Sequence, residues 1–259
     1  MEAEATWSDP VAHLRQALAG DAFALYCQPI GAITRPMTFP MGEVLVRLHE
    51  EERSMRPPGE FLPVLEHYGM MPELDRWVVR QVLQRLAGGC RIGRLCINLS
   101  AQTLADRSFP AFFADELLAA DVPGDYVLFE IEESDALALP DCTARFAATI
   151  GSLGSDIIIE SFGRAANSVS VLSVPCVRYV KLHDSLTRRL VVGDVPTPDV
   201  EALLRPVLQA GVQVVADFME EPDAVRRLKA LRITHVQGFG VYQPHPLDAF
   251  AEPRSLQLA

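Results

Sequence analysis

Short apolar runs rich in β-branched residues alternate along the chain with longer stretches whose apolar residues recur at helical spacing. Between Pro72 and Ala87, for example, the apolar positions follow a 3.6-residue period, which is typical of a helix packed on one face. The apolar runs predict strands at Phe23–Ile30, Gly42–Leu48, Arg94–Asn98, Tyr126–Ile131, Asp156–Glu160, Tyr179–Leu182, Gln213–Asp217 and His235–Gln237.

About eight strand–helix units predict a parallel sheet that is buried on both faces, and that number fits an α/β protein with a (β/α)8 TIM-like barrel. A doubly wound open sheet is the alternative. The barrel is favoured because polar residues stand at the ends of many strands, and an open sheet brings only a few strand ends together in its ligand crevice. We expect a single domain over residues 10–250, with tails at residues 1–9 and 251–259.

Composition narrows the class of protein. The 49% hydrophobic and 22% charged residues are ordinary for a folded globular chain, and the net charge of −11 argues against a nucleic-acid polymer as partner. No apolar run approaches the roughly 18 residues of a membrane span. The acidic start is unlike a signal peptide, and five cysteines without a CxxC pair fit reduced thiols. We therefore expect a cytoplasmic protein.

Polar side chains end most of the predicted strands. In a β/α barrel the carboxyl ends of the strands converge on one pocket, so these side chains are candidates for a shared ligand site. A single one is equally explained by a strand that meets solvent, but a set of seven favours convergence on a ligand. Clustered oxygens suit Mg²⁺ or Mn²⁺ better than zinc. The seven residues are Glu43, Asn98, Glu130, Glu160, Lys181, Asp217 and Gln237.

The order of several short motifs makes the chemistry more specific. Tyr26–Ile30 reads Tyr-Cys-Gln-Pro-Ile, and Glu43–Arg47 reads Glu-Val-Leu-Val-Arg. Further segments of this kind are Pro58–Glu66, Leu74–Val78, Ile97–Ser100, Glu130–Ser134, Glu160–Gly163, Lys181–His183, Ala216–Glu220, Gln237–Gly240 and Pro244. Each is weak alone, but the ordered set resembles the EAL domain family of cyclic-di-GMP phosphodiesterases over nearly the whole chain.

The resemblance implies a two-metal site for a phosphodiester, with Mg²⁺ or Mn²⁺ as the cofactor of an active member. The first metal would be held by Glu43, Asn98, Glu130 and Glu160. Glu160 would also reach a second metal, whose other ligand position is Ser161. The residues that the resemblance makes catalytic are Lys181, Asp217 and Glu220. The residues that it assigns to the nucleotide are Gln28, Glu43, Leu45, Arg47, Pro58, Gly59, Gln237 and Pro244.

Two segments depart from the family pattern inside that site. Where the family has Asp-Asp-Phe-Gly, Glu160–Gly163 reads Glu-Ser-Phe-Gly, so one acid is longer and the second metal loses a carboxylate at Ser161. Where the family has Glu-Gly-Val-Glu, Asp217–Glu220 places Phe218 at the glycine. These departures predict an impaired second metal site and catalytic residues that are vestigial.

Three functions remain open from the sequence. The first is a degenerate EAL domain that binds cyclic-di-GMP as a receptor with little or no hydrolysis and passes the signal to an unidentified protein partner; a homodimer stays open. The second is a metal-dependent phosphodiesterase that opens cyclic-di-GMP to linear pGpG. The third is an EAL-like protein-interaction module that has lost the nucleotide.

Overall fold

The computed structural model describes residues 7, 9–20, 22–34, 36–49, 55–194, 197–220 and 224–252. The strands are β1 (Phe23–Ala32), β2 (Thr38–His49), β3 (Met55–Arg56), β4 (Arg94–Asn98), β5 (Val127–Glu132), β6 (Asp156–Phe162), β7 (Val177–Leu182), β8 (Gln213–Ala216), β9 (His235–Val236) and β10 (His245–Pro246). Within the described residues, eight of them close a barrel in the order β1, β2, β4, β5, β6, β7, β8, β9 and back to β1. The predicted barrel is confirmed.

Helices surround the barrel. They are α1 (Pro10–Ala19), α2 (Pro58–His67), α3 (Met71–Ala87), α4 (Ala101–Ala105), α5 (Phe109–Ala120), α6 (Glu133–Ala138), α7 (Pro140–Ser152), α8 (Asp184–Val192), α9 (Thr197–Gln209) and α10 (Val225–Ala230). Several begin with proline in the first turn, where the missing N–H is not needed for a helical hydrogen bond. Among the described helices, none has both the length and the apolar character needed to cross a lipid bilayer.

The first strand runs against the rest of the barrel. β1 pairs antiparallel with β2, with Tyr26 opposite Leu45, and antiparallel with β9, with Gly31 opposite Val236. The expectation of an all-parallel sheet is therefore wrong at β1. The physical reason is the short connection over residues 33–37, because a parallel crossover needs roughly a dozen residues or more. The barrel strands from β2 to β9 pair in parallel.

Alternation along each strand separates an inner core from an outer core. On β5, Leu128 and Glu130 face the barrel interior, and Phe129 faces the helices. A small apolar cluster fills the interior below the polar strand ends: Ile30, Met41, Cys96, Leu128, Ile158, Tyr179 and Val215. The larger core lies between sheet and helices. The inner cluster therefore lies beneath the polar side chains at the carboxyl ends of the strands.

Most of the two predicted tails lies outside the described residues. Near the second tail, Arg91 donates its backbone N–H to the carbonyl oxygen of Phe250 at 2.9 Å. Glu252 in turn donates its backbone N–H to the carbonyl oxygen of Gly89 at 3.0 Å. The described end of the chain thus continues to pair with the segment that precedes β4.

Phe129→Ala tests the outer core. The Phe129 ring centroid lies 4.9 Å from that of Phe113 and 5.3 Å from that of Phe146, both nearly edge to face. Removal of this fully buried ring should lower the free energy of unfolding by about 3–5 kcal/mol in urea titrations. Leu118→Ala, at a side chain that is 83% exposed, is the control and should stay within about 0.5 kcal/mol. Equal losses in the two variants would contradict the described packing.

Candidate functional site

A lysine without solvent exposure lies at the centre of the polar strand ends. Lys181 is on β7, and its Nζ lies 2.8 Å from Glu43 Oε2 and 2.6 Å from Glu130 Oε2. The same Nζ is 3.9 Å from Glu160 Oε1. A buried charge is tolerated when it is paired and hydrogen-bonded. One ammonium group therefore joins the carboxylates of β2, β5 and β6.

Amide side chains extend this cluster across the barrel. Asn98 donates Nδ2–H to Glu43 Oε1 at 3.0 Å, and Gln237 donates Nε2–H to Glu43 Oε2 at 2.7 Å. Gln237 also donates to Gln28 Oε1 at 3.1 Å, and Gln28 donates to the carbonyl oxygen of Tyr242 at 3.0 Å. The structure thus brings predicted residues of β1, β2, β4, β5, β6 and β7, and Gln237 directly after β9, into one polar cluster.

Burial and the shared ammonium set the protonation of the acids. Burial raises the pKa of Glu43, but Lys181 and the hydrogen bonds from Asn98 and Gln237 outweigh burial and hold it below its usual value. Burial raises the pKa of Glu130 well above its ordinary range. It also raises the pKa of Glu160 to about 7, with Lys181 opposing. Three acids share one cation, and the cluster therefore favours additional positive charge.

The donor set fits one divalent cation. Glu43, Glu130 and Glu160 each offer a carboxylate oxygen, and these oxygens lie within 4.8 Å of one another. Glu130 Oε1 is buried, and among the described residues it accepts no hydrogen bond. An orphaned buried carboxylate oxygen in a cage of hard oxygen donors suits Mg²⁺ or Mn²⁺. The buried acidic triad is therefore a candidate centre for the metal that the sequence implies.

The position that the family pattern assigns to a second metal is different. Ser161 supplies a neutral hydroxyl, which donates to Glu132 Oε1 at 3.3 Å. The Ser161 backbone has a φ of 56°, in the left-handed region that few residues other than glycine adopt. Ser161 lines a cavity of about 120 Å³ together with Glu160, Asp217 and Phe218. A second cation would meet one carboxylate fewer here than the family pattern provides.

A wider cleft of about 360 Å³ opens on the other side of the acidic cluster. Its polar wall includes Glu43, Asn98, Glu130 and Glu160. Its apolar wall includes Leu45 and Pro58, two of the residues predicted to meet the nucleotide. Since Glu160 lines both this cleft and the smaller cavity, the two spaces adjoin at the acidic cluster.

Arg47 lies two residues beyond Leu45 on the same face of β2. Its guanidinium lies 5.7 Å from the Tyr26 ring centroid and donates Nη1–H to the carbonyl oxygen of Val46 at 2.9 Å. Glu60 pairs with Arg56 instead of with Arg47, at 3.1 Å. Within the part of the chain that the structure describes, no carboxylate forms an ion pair with Arg47, so its charge remains available to an anion.

The remaining predicted residues lie less centrally. Asp217 lines the smaller cavity, and burial raises its pKa to about 6 despite Lys181. Glu220 and Gly59 are exposed, and Pro244 is half-buried. None of these three is among the residues that line the cleft or the small cavity. Their catalytic and nucleotide-binding roles stay predictions.

Two buried acids that shape the site were not singled out from the sequence. Glu133, the first residue of α6, accepts hydrogen bonds from the backbone N–H groups of Gly163 at 3.0 Å and Ala165 at 2.8 Å. Asp75 on α3 accepts from the N–H and the hydroxyl of Ser100, at 3.1 Å and 2.7 Å. Both acids hold loops that follow site strands. The available signal was their place in the motif segments Leu74–Val78 and Glu130–Ser134.

Residues 11–244 match the sequence model of the EAL domain. The chain belongs to the EAL domain family. The curated cyclic di-GMP phosphodiesterase PdeB of Shewanella oneidensis is 26% identical over 249 residues, which are 95% of this chain and 29% of that protein. This EAL chain thus spans less than a third of that relative's length.

Solved structures agree with the barrel. The FimX EAL domain from Pseudomonas aeruginosa bound to c-di-GMP has a TM-score of 0.84 at 24% identity, covering 95% of this chain and 99% of that one. The PaMucR phosphodiesterase in its c-di-GMP complex has a TM-score of 0.83 at 22% identity, covering 93% and 98%. At these identities the likeness shows the fold. The predicted family and the EAL-type barrel are both confirmed.

Lys181→Met tests the ion cluster of this EAL domain. The change leaves Glu43 and Glu130 buried without their common counterion, and the free energy of unfolding should fall by about 3–5 kcal/mol near neutral pH in a chelator. Arg15→Met is the control, because it breaks the exposed Arg15–Glu73 pair at a side chain that is 61% exposed. That pair is worth less than about 1 kcal/mol. Similar urea midpoints for the two variants would argue against the cluster.

Glu160→Gln tests the protonation of the cluster. The folded pKa of Glu160 is about 7, above its unfolded value, so the folded state holds a proton that the unfolded state releases. The stability from this group is present below the unfolded pKa and is lost as pH rises toward 7. In a chelator, the melting temperature of unaltered protein should therefore fall more steeply over that range than that of Glu160→Gln.

The exposed Glu201 provides the matched control for the pH profile. Glu201→Gln should keep the slope of the unaltered protein, because Glu201 is exposed on α9 and lies outside the acidic cluster. Parallel profiles for Glu160→Gln and the unaltered chain would show that Glu160 ionises normally.

Proposed function

We propose that this EAL domain is a receptor that binds c-di-GMP at the carboxyl ends of the barrel strands and hydrolyses it little or not at all. The proposal rests on the contrast between the acidic cluster, where the first metal would bind, and the neighbouring position of the second metal. The first acid cluster is complete and opens onto a cleft, whereas the second metal position offers the hydroxyl of Ser161, which is engaged with Glu132. The site keeps features for holding a nucleotide and loses a charge that cleavage needs.

The cleft offers complementary groups for a cyclic dinucleotide. Arg47 would donate to a phosphate oxygen through its planar guanidinium, which suits bidentate contact with an anion. Leu45 and Pro58 line the cleft and would pack against base and sugar. Gln28 already bonds to Tyr242 and Gln237, so contact with a guanine edge would require exchange of one of those bonds. Gly59 and Pro244 would lie at the rim.

One divalent cation would complete the acidic cluster. Glu43, Asn98, Glu130 and Glu160 would hold it, and when bound it supplies Lewis-acid polarisation of a phosphodiester oxygen. Lys181 pairs with both Glu43 and Glu130 through its two short contacts. Asp217 and Glu220 would be vestigial in a receptor. Binding then rests on the chain's own cations and apolar walls and persists without metal.

Hydrolysis is the second candidate, and a specific observation favours it. The triad of Glu43, Glu130 and Glu160 is intact and Lys181 is buried against it, so one cation could support slow conversion to pGpG. A protein-interaction module without nucleotide is the remaining alternative. The protein that receives the signal, the homodimer and the cytoplasmic location stay predictions.

Calorimetric titration with c-di-GMP, once in Mn²⁺ and once in chelator, tests the proposal. We expect binding in both, and chromatography of the Mn²⁺ sample should show little or no pGpG. Rapid formation of pGpG would establish the phosphodiesterase instead. Absence of binding in both buffers would exclude the receptor and favour the protein-interaction module. Glu160→Asp combined with Ser161→Asp should raise hydrolysis if the lost carboxylate is the limiting defect.

Arg47→Ala tests the phosphate contact within the same titration. Loss of a charged hydrogen-bond donor should raise the Kd about tenfold or more without changing the melting temperature of the free protein. Arg178→Ala is the control, since Arg178 pairs with Asp156 near the amino ends of β6 and β7. Its Kd should equal that of the unaltered chain. An unchanged Kd for Arg47→Ala would remove Arg47 from the binding site.

A further inference from the structure

Phe218 combines two features that are unfavourable for folding. Its backbone φ is 56°, in the left-handed region where a bulky aromatic residue is strained. Its side chain is also 52% exposed, so the ring gives up much of the burial that an aromatic residue gains in a core. Strained backbone persists where its surroundings enforce it, and it clusters at ligand sites. Both features point to a role for Phe218 outside the core.

The backbone around Phe218 is fixed. Met219 donates its N–H to the carbonyl oxygen of Gln237 at 2.8 Å, and Gly240 donates its N–H to the carbonyl oxygen of Met219 at 2.9 Å. A Cβ at Gly238 would overlap the Met219 backbone, so only glycine permits this approach of the two loops. Phe218 also donates its own N–H to Asp217 Oδ1 at 2.6 Å. The ring therefore stands on a rigid support.

Phe218 borders the smaller cavity at the acidic cluster and is not among the residues that line the cleft. Phe218 lines the cavity of about 120 Å³ together with Glu160 and Asp217, while Leu45 and Pro58 line the cleft. Glu160 borders both spaces. A cyclic dinucleotide carries two bases on opposite sides of one phosphate–ribose ring. With that ring over the acidic cluster, one base would enter the cleft and the other would lie toward the smaller cavity that Phe218 borders.

We propose that Phe218 is the stacking surface for the second guanine base of bound c-di-GMP. The inference rests on the proposed function and deepens it by assigning the second base. An aromatic face stacks on a base without needing a metal or a charge. It thus adds affinity at the position where Ser161 has removed a carboxylate. The strain of the left-handed backbone serves to present the ring to the ligand.

Phe218→Gly separates binding from folding, because glycine relieves the backbone strain while it removes the ring. Calorimetry with c-di-GMP in chelator should show a Kd raised about tenfold. Thermal unfolding without ligand should show an unchanged or higher melting temperature. Arg232→Gly is the matched backbone control: Arg232 has a φ of 62° and lies before β9, near the opposite end of the barrel. Its melting temperature should also be unchanged or higher, with the Kd unaltered.

Two further variants test the chemistry of the ring. Phe218→Trp should keep the Kd within about threefold because it preserves a stacking face, and Phe218→Leu should weaken binding about as much as Phe218→Gly. Equal Kd values for the unaltered protein, the Gly variant and the Leu variant would overturn the stacking role while leaving the Arg47 contact standing. Phe218 would instead have a structural role if Phe218→Gly lowered both the melting temperature and the affinity while Phe218→Leu bound normally. If the unaltered protein does not bind c-di-GMP, both proposals fail.

Discussion

The buried ammonium of Lys181 is the contact on which the rest of the site depends. Glu43 and Glu130 come from strands on one side of the barrel, and each would be costly to bury without a counterion. Their shared cation lets two carboxylates approach the barrel axis above an apolar floor. The amides of Asn98 and Gln237 then occupy the remaining acceptors of Glu43. An acidic centre that could hold a divalent cation beside the cleft follows from that one pairing.

The parts of the site that the sequence predicts well are those governed by strand periodicity. Glu130 interrupts an apolar run near the carboxyl end of its strand, and in a β/α barrel those strand ends converge on one pocket. The same reasoning places Lys181. Glu43 lies in the middle of β2, and it reaches the site because only Met41–Val44 of that strand pair with β4. The motif order identifies the family, because many weak segments in one order are jointly specific even though each is short.

The features that the sequence does not predict depend on hydrogen-bond partners from distant segments and on backbone angles. The direction of β1 depends on the length of one loop, which the strand–helix pattern overlooks. Glu133 is visible in the sequence, but its role as acceptor for the Gly163 loop emerges only from geometry. Phe218 is visible as a departure from the family pattern, but only the structure shows that its ring is half-exposed and borders the smaller cavity. Periodicity predicts which face of a strand or helix a residue occupies. It does not predict which side chain the residue contacts or which backbone φ it adopts.

The antiparallel closure of the barrel affects the order in which the chain can assemble during translation. The hairpin of β1 and β2 forms from local contacts, so it can pair while most of the polypeptide is still unsynthesised. Its other edge waits for β9, near the far end of the chain, and Glu43 waits for Lys181. Until those segments emerge from the ribosome, the nascent hairpin exposes an open strand edge and an uncompensated carboxylate. The exposed edge of that hairpin therefore persists until β9, the last strand of the barrel, has been made.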